Sequence, residues 1–265
     1  MVDQLEQQGI VAKANEIGIL PRFAAPCMLA KKGAARKMSP DQYEKLSFSD
    51  KLDHNRFVLA HNRLNEFLEK IPAKKLNTVS DTISMVGAHR YIITTDLASS
   101  FLQRHIKPHM LPYMAFHSPF KGTYIFKRSS MGVINQTKGI ENMMTCILSQ
   151  FIEEGWCKVH VENIYVCAHT QRVCVDRWDK VLQELSKNNI KLSAKKTFVF
   201  PEELDLLGWS KKGQFLIPDP HRQNVLATAE LPRTVKQLRS YLGTYEMFYK
   251  CKENINQILK ELQSM

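Results

Sequence analysis

Between Arg90 and Phe200 the chain reads strand, helix, hairpin, helix, strand, and an acid, Asp96, stands at the end of the first strand. The segment RYIITTDL, Arg90 to Leu97, is β-branched and aromatic. Gly87 precedes it and small residues follow it, which predicts a buried strand ending at Asp96. The next segment predicts a helix with Ile140, Met143, Met144, Ile147, Leu148, Phe151 and Ile152 on one stripe, stopping at Gly155. CKVHVENIYVCA predicts two short strands hinged at Glu162 and Asn163, because β-branched residues flank a polar pair suited to a turn. A second amphipathic helix carries Val175, Trp178, Val181, Leu182 and Leu185 in register and ends at Asn188 and Asn189, after which IKLSAKKTFVF returns as strand. This order is the split βαβ, or ferredoxin-like, arrangement of an α+β protein. It places Asp96 and the Glu162–Asn163 tip on neighbouring strands.

The flanks are read in the same way. Residues 3–10 predict a short helix stopped by Gly9, and RFAAPCMLAKK from Arg22 to Lys32 predicts a strand ending in two lysines. Residues 33–55 have little periodicity and many turn formers, which reads as an exposed, mobile loop or insertion. LDLLGWSKKGQFLI predicts a hairpin turning at Lys211 to Gly213. Beyond Pro232, Thr234 and Gln237 have capping-box spacing, and Val235, Leu238, Tyr241, Leu242 and Tyr245 share a helical face.

Composition narrows the partners. The 37 Lys and Arg exceed the 26 Asp and Glu, a formal net charge of +11, which points to a polyanion, nucleic acid first. Charge alone fits a merely soluble basic protein equally well. With 44% hydrophobic residues the chain has enough apolar surface for one or two lobes. Six cysteines show no C-x-x-C pair, which encodes neither a zinc site nor a disulfide framework. His105 and His109 have the spacing of a helical metal pair, but Pro108 between them argues against a helix. The N-terminus lacks a signal-peptide core and no apolar run reaches the roughly 18 residues of a membrane span, so the expected location is cytoplasmic or nuclear, with no membrane partner.

Several blocks, in order, resemble the reverse transcriptases of long-terminal-repeat, gypsy-type retroelements. LEQQGIV resembles the first fingers helix of that family, and FAAPCMLAKK its fingers strand, whose lysines, here Lys31 and Lys32, reach toward an incoming triphosphate. RFVLAHNRLN places Arg56 at the triphosphate-contacting arginine. TTDLASSFLQ resembles the block LDLxSGYHQ, with Asp96 at the first metal-binding aspartate and Phe101 at the aromatic that screens the sugar 2′ position. FKGTYIFKRSSMGVINQ ends in the template-seating glycine, Gly132, and KLSAKKTFVF brings Lys195 and Lys196 to the cleft. LLGW puts Leu207, Gly208 and Trp209 at the primer-gripping hairpin, and LPRTVKQLRSYLGTYEMFYK is similar to the exit toward the thumb. The resemblance implies right-hand polymerase fingers and palm, with the start of a thumb-like helical lobe. Residues 1–75 would be fingers, 76–105 palm, 106–130 fingers again, 131–220 palm again, and 221–265 the start of thumb or connection. It also implies an excerpt of a longer polyprotein, without visible protease, RNase H or integrase blocks, whose remaining domains are possible partners.

One block departs. Where the family carries Tyr-x-Asp-Asp, this sequence reads His160, Val161, Glu162, Asn163. Phosphoryl transfer in such polymerases uses two Mg²⁺ roughly 3.5–4 Å apart, held by carboxylates at about 2.0–2.1 Å in near-octahedral geometry. Asp96 and Glu162 remain as metal ligands, but Glu162 is a methylene longer and Asn163 carries no charge. His160 removes a phenol from beneath the primer end. The expectation is therefore an inactive reverse-transcriptase-like domain that keeps a basic nucleic-acid cleft and requires no cofactor. The alternatives are a weak RNA-directed DNA polymerase using two Mg²⁺ or Mn²⁺, and a protein-interaction scaffold, for which an exposed apolar patch would speak.

Overall fold

Tyr91–Asp96 (β1), Cys157–His160 (β2), Asn163–Ala168 (β3) and Phe198–Val199 (β4) form a sheet in the order β4-β1-β3-β2, and every neighbouring pair is antiparallel. The computed structural model from which this is taken describes residues 2–71 and 78–246. Helix Gln136–Ile147 (α1) lies between β1 and β2 in the chain, and helix Gln171–Lys187 (α2) between β3 and β4. The ferredoxin-like order read from the sequence is therefore the observed one.

Both faces of this sheet are covered, because successive side chains of a strand point to opposite sides. Ile164 and Val166 pack with Ile140, Met144, Val181 and Leu185 of the two helices. On the other face Ile92, Tyr165 and Cys167 pack with Ile83 and Val86 of helix Val79–Ala88 and with Leu206 and Trp209. A separate core lies in the N-terminal half, where Val11–Lys13, Gly122–Phe126, Ala115–Ser118 and Ala24–Ala25 form a four-stranded sheet around Val11, Phe116, Tyr124 and Ile125.

Several local expectations are corrected. Residues 33–55 are not a loop: they form three short helices, Gly33–Arg36, Pro40–Glu44 and Phe48–Asp53. Ser39 and Gln42 make a capping box, with Gln42 N donating to Ser39 Oγ at 3.2 Å and Ser39 N donating to Gln42 Oε1 at 3.0 Å. Helices this short offer no repeat for periodicity to detect. The strand expected from Arg22 to Lys32 is cut at Pro26, which has no N–H to donate. Ala24–Ala25 joins the four-stranded sheet, while Cys27–Lys31 pairs with Asn55–Leu59.

Other boundaries shift as well. The helix expected to run to Gly155 breaks at Leu148, which leaves helical ψ at 17°, and resumes as Ser149–Glu153. On α2 the inner stripe is Cys174, Trp178, Val181 and Leu185, leaving Val175 and Leu182 exposed. IKLSAKKTFVF is mostly not strand: Ala194–Lys196 is a 3₁₀ turn, and only Phe198–Val199 joins the sheet. The expected hairpin is a three-stranded meander, Glu203–Leu206, Trp209–Lys212 and Phe215–Pro218. Lys211 is buried mid-strand and donates to His89 O at 2.9 Å, which a turn position would not allow. The capping box of helix Val235–Glu246 forms as expected, Gln237 N donating to Thr234 Oγ1 at 3.2 Å. The Tyr245 side chain and residues 247–265, Cys251 among them, lie outside the described residues.

Candidate active-site cleft

A cleft of about 580 Å³ opens at the C-terminal end of β1, where Lys32, Arg56, Asp96, Phe101, Glu162 and Lys196 converge. Asp96 is placed there by the strand itself, whose apolar residues anchor it in two cores, and it is only 9% exposed. Its carboxylate accepts from Lys196 Nζ at 3.0 Å. Lys196 reaches it from a turn fastened to β1 by the backbone: Ser193 N donates to Asp96 O at 2.8 Å, and Thr95 and Thr197 share a hydroxyl hydrogen bond of 2.7 Å. The Lys196 side chain is 61% exposed, so the ion pair contributes about 0–1 kcal/mol to stability. Its consequence lies in the charge it supplies. Burial first and the Asp96 charge second push the phenol of Tyr165 up to about 12.

The hairpin tip turns one residue earlier than the sequence suggested. His160 pairs with Asn163, so the two turn residues are Val161 and Glu162, and Asn163 already belongs to β3 opposite Asp96. Val161 has φ 58°, in the left-handed region that a β-branched residue enters only under strain. This turn aims Glu162 into the cleft, where its Oε2 accepts from Ser100 Oγ at 2.5 Å and its backbone O accepts from Leu97 N at 3.2 Å. Asn163 does not line the cleft.

The remaining expected residues divide. Lys32, Arg56 and Phe101 line the cleft with Asp96 and Glu162. Lys31 does not: its Nζ sits 3.8 Å over the Tyr43 ring. Lys195 is exposed outside the cleft. Gly132, at φ 99°, packs against the Leu59 carbonyl instead of lining it; a Cβ there would lie 3.4 Å from that oxygen. Beneath the same wall His61 is 1% exposed and its Nε2 bonds Ser130 Oγ at 2.8 Å. His160 is half-buried, with its Nδ1 lacking a hydrogen-bond partner among the described residues. Leu207 and Gly208, both at positive φ, form a two-residue type I′ turn that joins Leu206 to the buried Trp209, away from the cleft. The sequence reading missed Ser100, which is 3% exposed, and Gln103, whose Nε2 donates to Ala98 O and Lys191 O at 2.6 and 2.8 Å. Both lie in the TTDLASSFLQ block, but that block does not reveal their distant partners, Glu162 for Ser100 and Lys191 for Gln103.

The donor chemistry does not fit a pair of divalent cations. Two carboxylates reach the cleft, each with an oxygen already held, one by an ammonium and one by a hydroxyl. The described residues contain no group of three or more His, Cys, Asp or Glu arranged to hold a metal ion.

No protein-family profile matches the chain. It is similar to the retrovirus-related Pol polyprotein from transposon opus of Drosophila melanogaster, 25% identical over 266 residues, which is 100% of this chain and 24% of that protein. It is similar to the corresponding polyprotein from transposon gypsy, 25% identical over 201 residues, 74% of this chain and 19% of that protein. Its homologues are the Pol polyproteins of retrotransposons and retroviruses. The reverse-transcriptase-like chain spans about a quarter of the length of the opus relative, 24%. Among solved structures it is similar to the foamy viral protease-reverse transcriptase dRH in complex with double-stranded DNA, with TM-score 0.74 and 22% identity over 99% of this chain and 42% of that one. A second foamy viral protease-reverse transcriptase structure with double-stranded DNA gives TM-score 0.71 and 20% identity, over 99% of this chain and 49% of the other. The fold is thus the mixed α and β right-hand fold of retroviral reverse transcriptases. No helix of the described residues is long and apolar enough to cross a membrane.

Proposed function

We propose that this reverse-transcriptase-like domain holds nucleic acid in its basic cleft and does not polymerise at an ordinary rate. One observation carries the reading: the buried Asp96 carboxylate is satisfied by Lys196, while the residue across the ladder, Asn163, brings no charge. Lys32 and Arg56, which line the same cleft, are the phosphate contacts in this reading, and Phe101, also in the lining, is the aromatic that screens the sugar 2′ position. Residues 1–75 and 106–130 act as fingers, 76–105 and 131–220 as palm, and 221–265 as the start of thumb or connection. The partner is a primer-template duplex of RNA or DNA, a reading supported by the double-stranded DNA and the RNA/DNA hybrid in the foamy viral structures; the site of action is the cytoplasm or nucleus, and other Pol segments are candidate protein partners.

Binding through phosphate is tolerant of sequence and weakens steeply with salt. The test has two arms. Equilibrium binding to a primer-template duplex at two salt concentrations is expected to show affinity at low salt that falls at high salt, and absence of affinity at low salt overturns the binding half. Primer extension with Mg²⁺ and with Mn²⁺ is expected to show no incorporation above that of Asp96→Ala. Incorporation by the natural chain that Asp96→Ala abolishes overturns the other half and makes the protein a polymerase.

A further inference from the structure

We infer that the Asp96 site has a resident cation of its own, the Lys196 ammonium, which occupies the place a divalent ion would need and keeps such ions out. The inference deepens the proposed function, since it rests on reading Asp96 and Glu162 as an altered metal-binding pair.

The geometry that supports it is built into the backbone. Leu192 bridges to Leu97 just before the Lys196 turn, and Phe198 pairs with Thr94 just after it, so the turn is stitched to β1 on both sides. Between these points Lys196 N donates to Ser193 O at 3.0 Å and Thr197 Oγ1 donates to Ser193 O at 2.9 Å. The root of the Lys196 side chain is therefore fixed beside the carboxylate it binds, and the neighbouring Lys195 is left outside. The anionic inventory is small. Asp96 and Glu162 supply two negative charges, Lys196 returns one positive charge beside Asp96, and Lys32 and Arg56 add two more to the same lining, so the cleft carries no net negative charge to neutralise a pair of divalent ions. Mg²⁺ sheds its water reluctantly and demands near-ideal oxygen geometry. To bind here it would have to displace an ammonium and also recruit a glutamate already committed to Ser100. A resident ammonium leaves the phosphate-binding wall of Lys32 and Arg56 independent of divalent ions.

Uptake of Mn²⁺ by the full chain, without nucleic acid and read from the electron paramagnetic resonance signal of the free ion, tests this directly. The natural chain and Asp96→Asn are expected to take up the same amount. Lys196→Met, which keeps the side-chain length and removes the charge, is expected to bind Mn²⁺ about tenfold more tightly than the natural chain, because a cation within a few ångströms of a carboxylate opposes any second one. Combining Asp96→Asn with Lys196→Met is expected to abolish that gain. Lys196→Gln serves as the second uncharged variant should Lys196→Met fail to fold. Uptake by the natural chain that disappears in Asp96→Asn overturns the inference, as does an unchanged affinity in the folded Lys196 variant. Failure of the nucleic-acid reading would appear separately, as missing duplex affinity at low salt with the Mn²⁺ result intact.

Discussion

Asn163 lies directly across the β-ladder from Asp96 and, on its other side, pairs with His160. The position that faces the buried acid therefore presents an amide. An aspartate at the same point would place a second negative charge beside Asp96, a pairing that like-charge repulsion opposes unless a cation is bound between them. The amide removes that repulsion and the need for the cation together.

Restoring the carboxylates should restore the demand for metal. With Glu162→Asp and Asn163→Asp combined, Mg²⁺-dependent nucleotide incorporation is expected to rise by about 10²-fold or more over the natural chain, the scale on which about 1 Å of ligand displacement acts. Single-nucleotide extension of a labelled primer measures it. No gain in the folded double variant would mean that more than the hairpin tip has been altered.

Arg56 and Lys32 line the same cleft as Asp96 and Glu162. Replacing Arg56 with Ala is expected to weaken duplex binding across all sequences and to reduce the slope of log affinity against log salt by about 0.9, one phosphate contact. Fluorescence anisotropy over a salt series reads the slope, and a chelator added to the natural chain is expected to leave it unchanged.

Burial holds the His61 imidazole down from its ordinary 6.5 to about 4. Above pH 6.5 both the folded and the unfolded chain carry it neutral, so stability is unaffected there. As pH falls from 6.5 toward 4 the unfolded chain gains a proton that the folded chain does not, and stability is lost, by about 2 kcal/mol at pH 5. Urea denaturation at pH 7 and pH 5 is expected to show this difference shrinking in His61→Gln. Equal pH dependence in the two chains would show that His61 titrates normally.

Val161 occupies the left-handed region at φ 58° with a branched side chain. Val161→Gly is expected to raise unfolding stability by about 0.5–1 kcal/mol, the strain relieved less the extra backbone freedom of glycine in the unfolded chain. Equilibrium denaturation checks the sign. A loss of stability would mean that the packing of the half-buried valine outweighs the strain.

The β-branched run Tyr91–Asp96 with its terminal acid, the helix stripe through Ile140 and Met144, and the hairpin on either side of Glu162 are local patterns, and each formed in the expected order. The short helices of residues 33–55, the cut at Pro26 and the middle strand Trp209–Lys212, which takes Lys211 out of the expected turn, escaped notice because elements so short leave no period to count. The one-residue shift of the hairpin tip escaped for another reason: a polar pair suits a turn on propensity, but strand pairing sets the register, and here it drew Asn163 into the ladder and left Val161 to take the strained position.

Sequence alone determined the ferredoxin-like order and the placing of Asp96 beside the hairpin, because strand order follows from the succession of apolar periods and the handed connections between them. Only the tertiary structure decided what each charge does. Lys195 and Lys196 are adjacent in sequence and alike in chemistry, yet one is solvated and the other holds Asp96, and Lys31 stacks on Tyr43 while Lys32 faces the cleft. Electrostatic roles depend on distances of a few ångströms between residues as much as a hundred positions apart, and those distances exist only once the chain has folded.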